Sequence, residues 1–191
     1  MVIKAQGSRL KIQGSSCALG LVLWILCLDV NAFAQISREE ALAAAYPGAQ
    51  LRAEQLFLTA DQQRVVRDRA GADAPSALIA RYIATRDGKV VGRAYVDTHT
   101  VRTKRESLLV SLDDQGKVMR IDVTAFLEPA EYKAPDAWLR QFRSRGLGDD
   151  LAVNRAIRPI AGATLTARAT NTAVRRVLAV DDMLRADGGS R

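Results

Sequence analysis

Residues Gly162-Ala163-Thr164-Leu165-Thr166 put two hydroxyls and two small residues at the start of a long amphipathic run. Arg155, Arg158 and Arg168 flank them, and no acid falls in the first predicted turn. A helix start presents free backbone N–H groups and the positive end of the dipole, which suit an anion and phosphate above all. Gly162 and Ala163 keep bulky side chains out of a ligand's approach. A plainer role for Thr164 is an N-cap whose hydroxyl accepts from a backbone N–H one turn in, worth about 1 kcal/mol. Two other helix starts, Ser37-Arg38-Glu39-Glu40 and Thr59-Ala60-Asp61-Gln62, read as capping boxes with an acid or amide at the reciprocal position. Thr164 has Ala167 there. The residues alone leave capping and phosphate binding both open.

The elements that must position this stretch are legible along the chain. The helix after Thr164 carries an apolar stripe of Leu165, Ala169, Ala173, Val177, Val180 and Leu184, with Val174 and Leu178 beside it. Arg168, Arg175, Arg176, Asp182 and Arg185 fall largely off that stripe and read as a solvated face. Ahead of it, residues 77–85, 89–98, 106–112 and 117–126 are extended runs rich in Val, Ile, Leu and Tyr. Asp87-Gly88 and Asp114-Gln115-Gly116 supply tight turns, so neighbouring runs pair antiparallel. A short strand is predicted over 55–58, and helices from Ser37 to Tyr46 and from Thr59 to about Gly71. Pro135-Asp136 opens a helix bearing Trp138, Leu139 and Phe142, stopped near Gly146 and Gly148. The expected class is α+β: a twisted antiparallel meander with helices packed on it.

The first 34 residues read as a secretory signal peptide. Lys4, Arg9 and Lys11 precede the unbroken apolar run CALGLVLWILCL, and Ala32-Phe33-Ala34 follows as a small-x-small cleavage pattern. That run is shorter than the ~20 residues a membrane span needs, so cleavage after Ala34 is expected over an uncleaved anchor. Both cysteines, Cys17 and Cys27, lie in this segment. The exported chain then has no disulfide and no thiolate metal site. With one histidine, His99, no structural zinc site is expected.

After Ala34 the 28 basic and 21 acidic residues fall to 25 and 20, net +5. The cations are scattered, and Trp138 is the lone tryptophan left to stack a base, so nucleic acid is not an expected partner. Domain organisation reads as 1–34 signal, then one domain made of an N-terminal helical segment over 35–76 and the part that carries the site over 77–187.

Gly162-Ala163-Thr164-Leu165-Thr166 resembles the flavin-attachment motif of the FMN-binding domain family, which includes the flavin-carrying subunits of sodium-pumping NADH:quinone oxidoreductase. The stretch Asp97-Thr98-His99-Thr100-Val101-Arg102-Thr103-Lys104 is also similar to small exported members, so the likeness spans about Ala77 to Leu184. The resemblance implies FMN held as a phosphoester on Thr164, with Gly162, Ala163, Leu165 and Thr166 forming the cradle. It also implies a dedicated FAD:protein FMN transferase that uses FAD and magnesium and releases AMP. Membrane or periplasmic redox partners, in an electron-relay chain outside the cytoplasm, are implied as well. Two positions differ: the family's hydroxyl residue before the glycine is Ala161 here, and its acid three residues earlier is Arg158. Noncovalent FMN in the same cradle is compatible with both.

Arg158 and Arg168 are the cations expected nearest the phosphate. His99, expected in a loop between strands, reads either as a contact to flavin or partner or as an ordinary loop residue. Trp138 and Tyr132 read as core aromatics that could also flank a flavin ring. Glu128 and Glu131 have no legible partner, and no catalytic acid–base pair is expected. The competing expectation is an exported binding or interaction domain without flavin, in which Thr164 only caps its helix.

Overall fold

Ser37 and Glu40 cap each other reciprocally, side chain to backbone in both directions, and open helix α1 (Arg38–Ala45). Thr59 and Gln62 do the same for α2 (Ala60–Ala70), which ends on Gly71 in the left-handed conformation. The computed structural model describes residues 35–148 and 150–188. The apolar run and the cleavage pattern before Gln35 lie outside the described residues.

Between the two helices runs β1 (Gln50–Phe57), which begins at Gln50 rather than at the expected Gln55. Leu51 and Ala53 alternate with polar neighbours in Gln50-Leu51-Arg52-Ala53-Glu54, but the alternation buries little because β1 is an edge strand exposed along most of its length. Its backbone ladder to β2, from Gln50↔Thr85 to Phe57↔Leu78, holds it instead. The segment 35–76 therefore contributes a strand as well as helices to the compact unit that begins at Gln35.

Strands β2 (Leu78–Arg86), β3 (Lys89–Thr100), β4 (Arg105–Asp113) and β5 (Val118–Phe126) follow, giving one sheet in the order β1-β2-β3-β4-β5 with antiparallel neighbours throughout. This is the expected α+β meander. Asp87 and Gly88 both take positive φ, 51° and 73°, which matches the twist of the β2–β3 hairpin.

The sheet is covered on both faces. Leu108, Val110 and Leu112 of β4 point into the main core with Ile79, Tyr95 and Val123, while Leu109 points the other way against Ala41, Leu42 and Ala45 of α1. Tyr46 locks α1 down: its hydroxyl lies 2.8 Å from the carbonyl oxygens of both Arg93 and Leu112. Its ring fits only because residue 92 is glycine, since a Cβ there would sit 2.4 Å from Tyr46 Cε1 and from the Leu112 oxygen.

The helix opened by Pro135-Asp136 is shorter than expected. It comprises α3 (Asp136–Leu139) and one 3-10 turn (Arg140–Phe142), and does not reach Gly146. The chain leaves the helix to bond the free edge of β5: the Ser144 N–H donates to the Val118 oxygen at 2.7 Å, and the Val118 N–H to Arg145 at 2.9 Å. Ser144 adopts φ 60° to make that turn.

Helix α4 (Thr164–Gly188) lies across the main-core face. Val174, Val177, Leu178 and Met183 are buried there, each worth about 1.5–3 kcal/mol against exposure. The buried face is wider than the apolar stripe and includes Thr166, Thr170, Asn171 and Asp181, whereas Leu165 is largely exposed.

Candidate functional site at the start of the last helix

A turn closed by the Ala163 N–H on the Ile160 oxygen delivers the chain to α4, with Gly162 at φ 76°. The first helical bond runs from the Ala167 N–H to the Ala163 oxygen at 3.0 Å. Ala163 thus occupies the cap and Thr164 is the first helical residue. This corrects the capping role expected for Thr164: its hydroxyl makes no hydrogen bond among the described residues, and the side chain is exposed. The backbone N–H groups of Thr164, Leu165 and Thr166 also lack acceptors among the described residues, as helix geometry requires of the first turn.

These groups open onto a hollow of about 230 Å³ whose walls are Gly162 to Thr166 on one side and Val101, Arg102, Glu128 and Tyr132 on the other. Thr166 is not a lining hydroxyl in waiting. It is buried and donates to the Tyr132 oxygen at 2.7 Å, tying the helix start to the opposite wall. Arg102 lies 5.7 Å from the centre of the Tyr132 ring, close enough for a cation–π contact. Glu128 accepts from the Thr103 and Lys104 N–H groups at 2.7 and 2.8 Å. These backbone bonds hold its carboxyl below the usual range and point the charge at the β3–β4 turn.

The structure brings Gly162, Ala163, Thr164, Leu165 and Thr166 together with Tyr132, and supplies Arg102 as the cation. It does not bring Arg158. That side chain is exposed and lines a separate hollow with Trp138, Gln141 and Arg145, while its backbone accepts from Trp138 Nε1 at 2.6 Å. Arg168 is exposed and lies outside the lining of the Thr164 hollow. Trp138 is core, edge-on to Phe142 at 5.4 Å. Arg102 and Glu128 were legible in the sequence only as residues of a basic turn and an unassigned acid. Their approach to residue 164 is set by the sheet.

His99 is a strand residue in β3, not a loop residue, and its surroundings are ionic. Nδ1 lies 3.0 Å from Asp97 and Nε2 3.0 Å from Glu106, which is fully buried and also accepts from Thr170 at 3.3 Å. Arg176 grips Asp97 with two bonds of 2.8 Å. Arg176 and Arg175 therefore leave the solvated face expected of them, and Arg175 donates to the carbonyls of Ala70, Gly148 and Leu151.

Burial pulls the His99 pKa down, but the bonds to Asp97 and Glu106 outweigh it and push it up to about 9. Burial likewise raises Asp97, and the bonds from His99 and Arg176 overcome it, leaving that carboxyl below its ordinary value. The imidazolium is thus favoured by folding. Its stabilisation is complete below the unfolded value of 6.5 and is lost as pH rises through about 9. We expect denaturant-measured stability to fall by up to about 3 kcal/mol across that window from this group, and the fall to flatten in His99→Gln. A wild-type profile as flat as the variant's would contradict the charged assignment.

No protein-family model, curated protein or solved structure matches this chain.

Proposed function

We propose that this chain is an exported flavoprotein that carries FMN as a phosphoester on Thr164 and relays electrons between membrane or periplasmic partners. The observation that carries the reading is a threonine hydroxyl that is exposed, free of hydrogen bonds among the described residues, and set at the mouth of a hollow. A hydroxyl used as a cap is engaged; one used as an attachment point must be open.

The residues present fit the group. Thr164, Leu165 and Thr166 contribute three N–H groups without acceptors among the described residues, next to the hydroxyl that would carry the phosphate, and the helix dipole favours an anion there. Gly162 has no atom within 4 Å of where a Cβ would stand, so the approach is clear. Tyr132 and Arg102 offer a flat, cationic wall, and Glu128 spends its charge on the turn rather than against the phosphate. Attachment by the transferase joins Thr164 Oγ1 to the FMN phosphorus, breaks the pyrophosphate of FAD and releases AMP. Bound there, the flavin supplies one- and two-electron transfer, and the protein supplies position and field. Arg158, which replaces the family's acid, stands outside the hollow and does not oppose this role.

The test is the intact mass of the protein exported from cells that also produce the transferase. One FMN adduct on a chain beginning at Gln35 is expected. An unmodified mature chain would refute covalent attachment, and a retained Met1 would refute cleavage after Ala34.

A further inference from the structure

Strand β3 is longer than the neighbour that should cover it. Pairing of β2 with β3 stops at Ala80↔Val96, while β3 continues to Thr100 bonded only to β4. No loop takes over: among the described residues no further backbone or side-chain hydrogen bond reaches the backbone of Asp97–Thr100. A hollow of about 540 Å³ lies along this edge, bounded by Leu78, Ala80, Pro75 and Ser76. The alternate N–H and C=O groups that β3 directs away from β4 therefore face an open slot, the arrangement that accepts an added strand.

Charge and polarity around the slot select the occupant. At its far end Arg102 and Lys104 of the β3–β4 turn and Arg105 at the start of β4 are exposed and form no ion pair among the described residues. Glu128 on the turn backbone offsets one of these three cations. On the main-core side, Asp97, Glu106, His99 and Arg176 face the slot or the groups lining it, and their charges cancel in pairs. Leu78, which lines the hollow, pairs with Phe57 of β1, itself 78 % exposed.

We propose that an extended acidic segment of a partner protein adds as a strand along Asp97–Thr100, its carboxylates meeting Lys104 and Arg105. The slot shares the β3–β4 turn and its Arg102 with the Thr164 hollow, but it does not rest on flavin attachment.

The test uses the full exported chain and a capped peptide, Thr-Glu-Val-Glu-Thr-Glu, followed by NMR amide exchange and by titration. Exchange should slow by about tenfold or more at alternate amides within Asp97–Thr100, the pattern of strand addition. The lysine counterpart of the peptide, the acidic peptide with alternate amides N-methylated, and Lys104→Glu/Arg105→Glu protein should each bind at least about tenfold more weakly. Equal binding of the N-methylated peptide would overturn strand addition, and equal binding of the lysine peptide would overturn the acidic partner. Absent binding, or a concentration-dependent dimer that protects the same amides without peptide, would overturn the proposal outright.

Discussion

Thr164→Ala protein, produced beside the transferase, should show no flavin fluorescence in its denatured band, while its stability stays within about 0.5 kcal/mol of wild type. The separation follows from the geometry. The Thr164 side chain is exposed and unbonded among the described residues, so removing it costs the fold little. Thr164→Ser keeps an acceptor hydroxyl and should keep flavin. Thr166→Ala should do the opposite of Thr164→Ala: flavin stays, but the buried bond to the Tyr132 oxygen goes, at a cost of about 1–3 kcal/mol. Flavin retained by Thr164→Ala and lost from Thr166→Ala would move the attachment point two residues. Among the cations, Arg102→Glu should lower loading and Arg158→Glu should not, because only the former lines the hollow.

The largest loss of stability is expected at Asp181, a residue with no place in the sequence-level site. It is fully buried in α4 and takes bonds from Arg93 Nε at 2.5 Å and from the Tyr95 hydroxyl at 2.8 Å, with Arg185 Nε 3.1 Å from its other oxygen. Burial lowers the pKa of Arg93, but Asp181 outweighs it and holds the guanidinium charged. Asp181→Ala strands that cation in the core and should cost about 3–5 kcal/mol, as broken buried pairs do. Against a typical total of 5–15 kcal/mol this is a large fraction of the fold's stability. Replacing both partners, Arg93→Met with Asp181→Leu, should recover much of the loss because no charge is then left unpaired. Denaturant midpoints of the two variants decide it. A loss below about 1 kcal/mol in Asp181→Ala would show that water reaches Arg93 and that the pair is not a core element.

Local chemistry was readable from sequence wherever the cause is local. Both capping boxes formed because their partners lie three residues apart, and the Asp87-Gly88 turn formed because its backbone conformation is written in two residues. The four long strands and their antiparallel order followed from short turns, and Gly162-Ala163-Thr164 opened a helix as its residue types suggested. Where partners are distant in the chain, the sequence was silent or misleading. Edge strand β1 starts at Gln50, five residues before the expected start, because its ladder to β2 and not burial holds it. The third helix ends early because the β5 edge, far upstream, recruits Ser144 and Arg145. Arg175 and Arg176 look solvent-directed on a helical wheel, yet the carbonyls of Ala70 at the end of α2 and of Leu151, and Asp97 of β3, draw them in. The candidate site divides in the same way. The residue types of Gly162 to Thr166 place an anion-ready helix start in the sequence itself. Only the packing of α4 across the sheet decides that Arg102 and Tyr132, and not Arg158 or Trp138, face it, since side chains over thirty positions apart meet through long-range contacts that no local periodicity encodes.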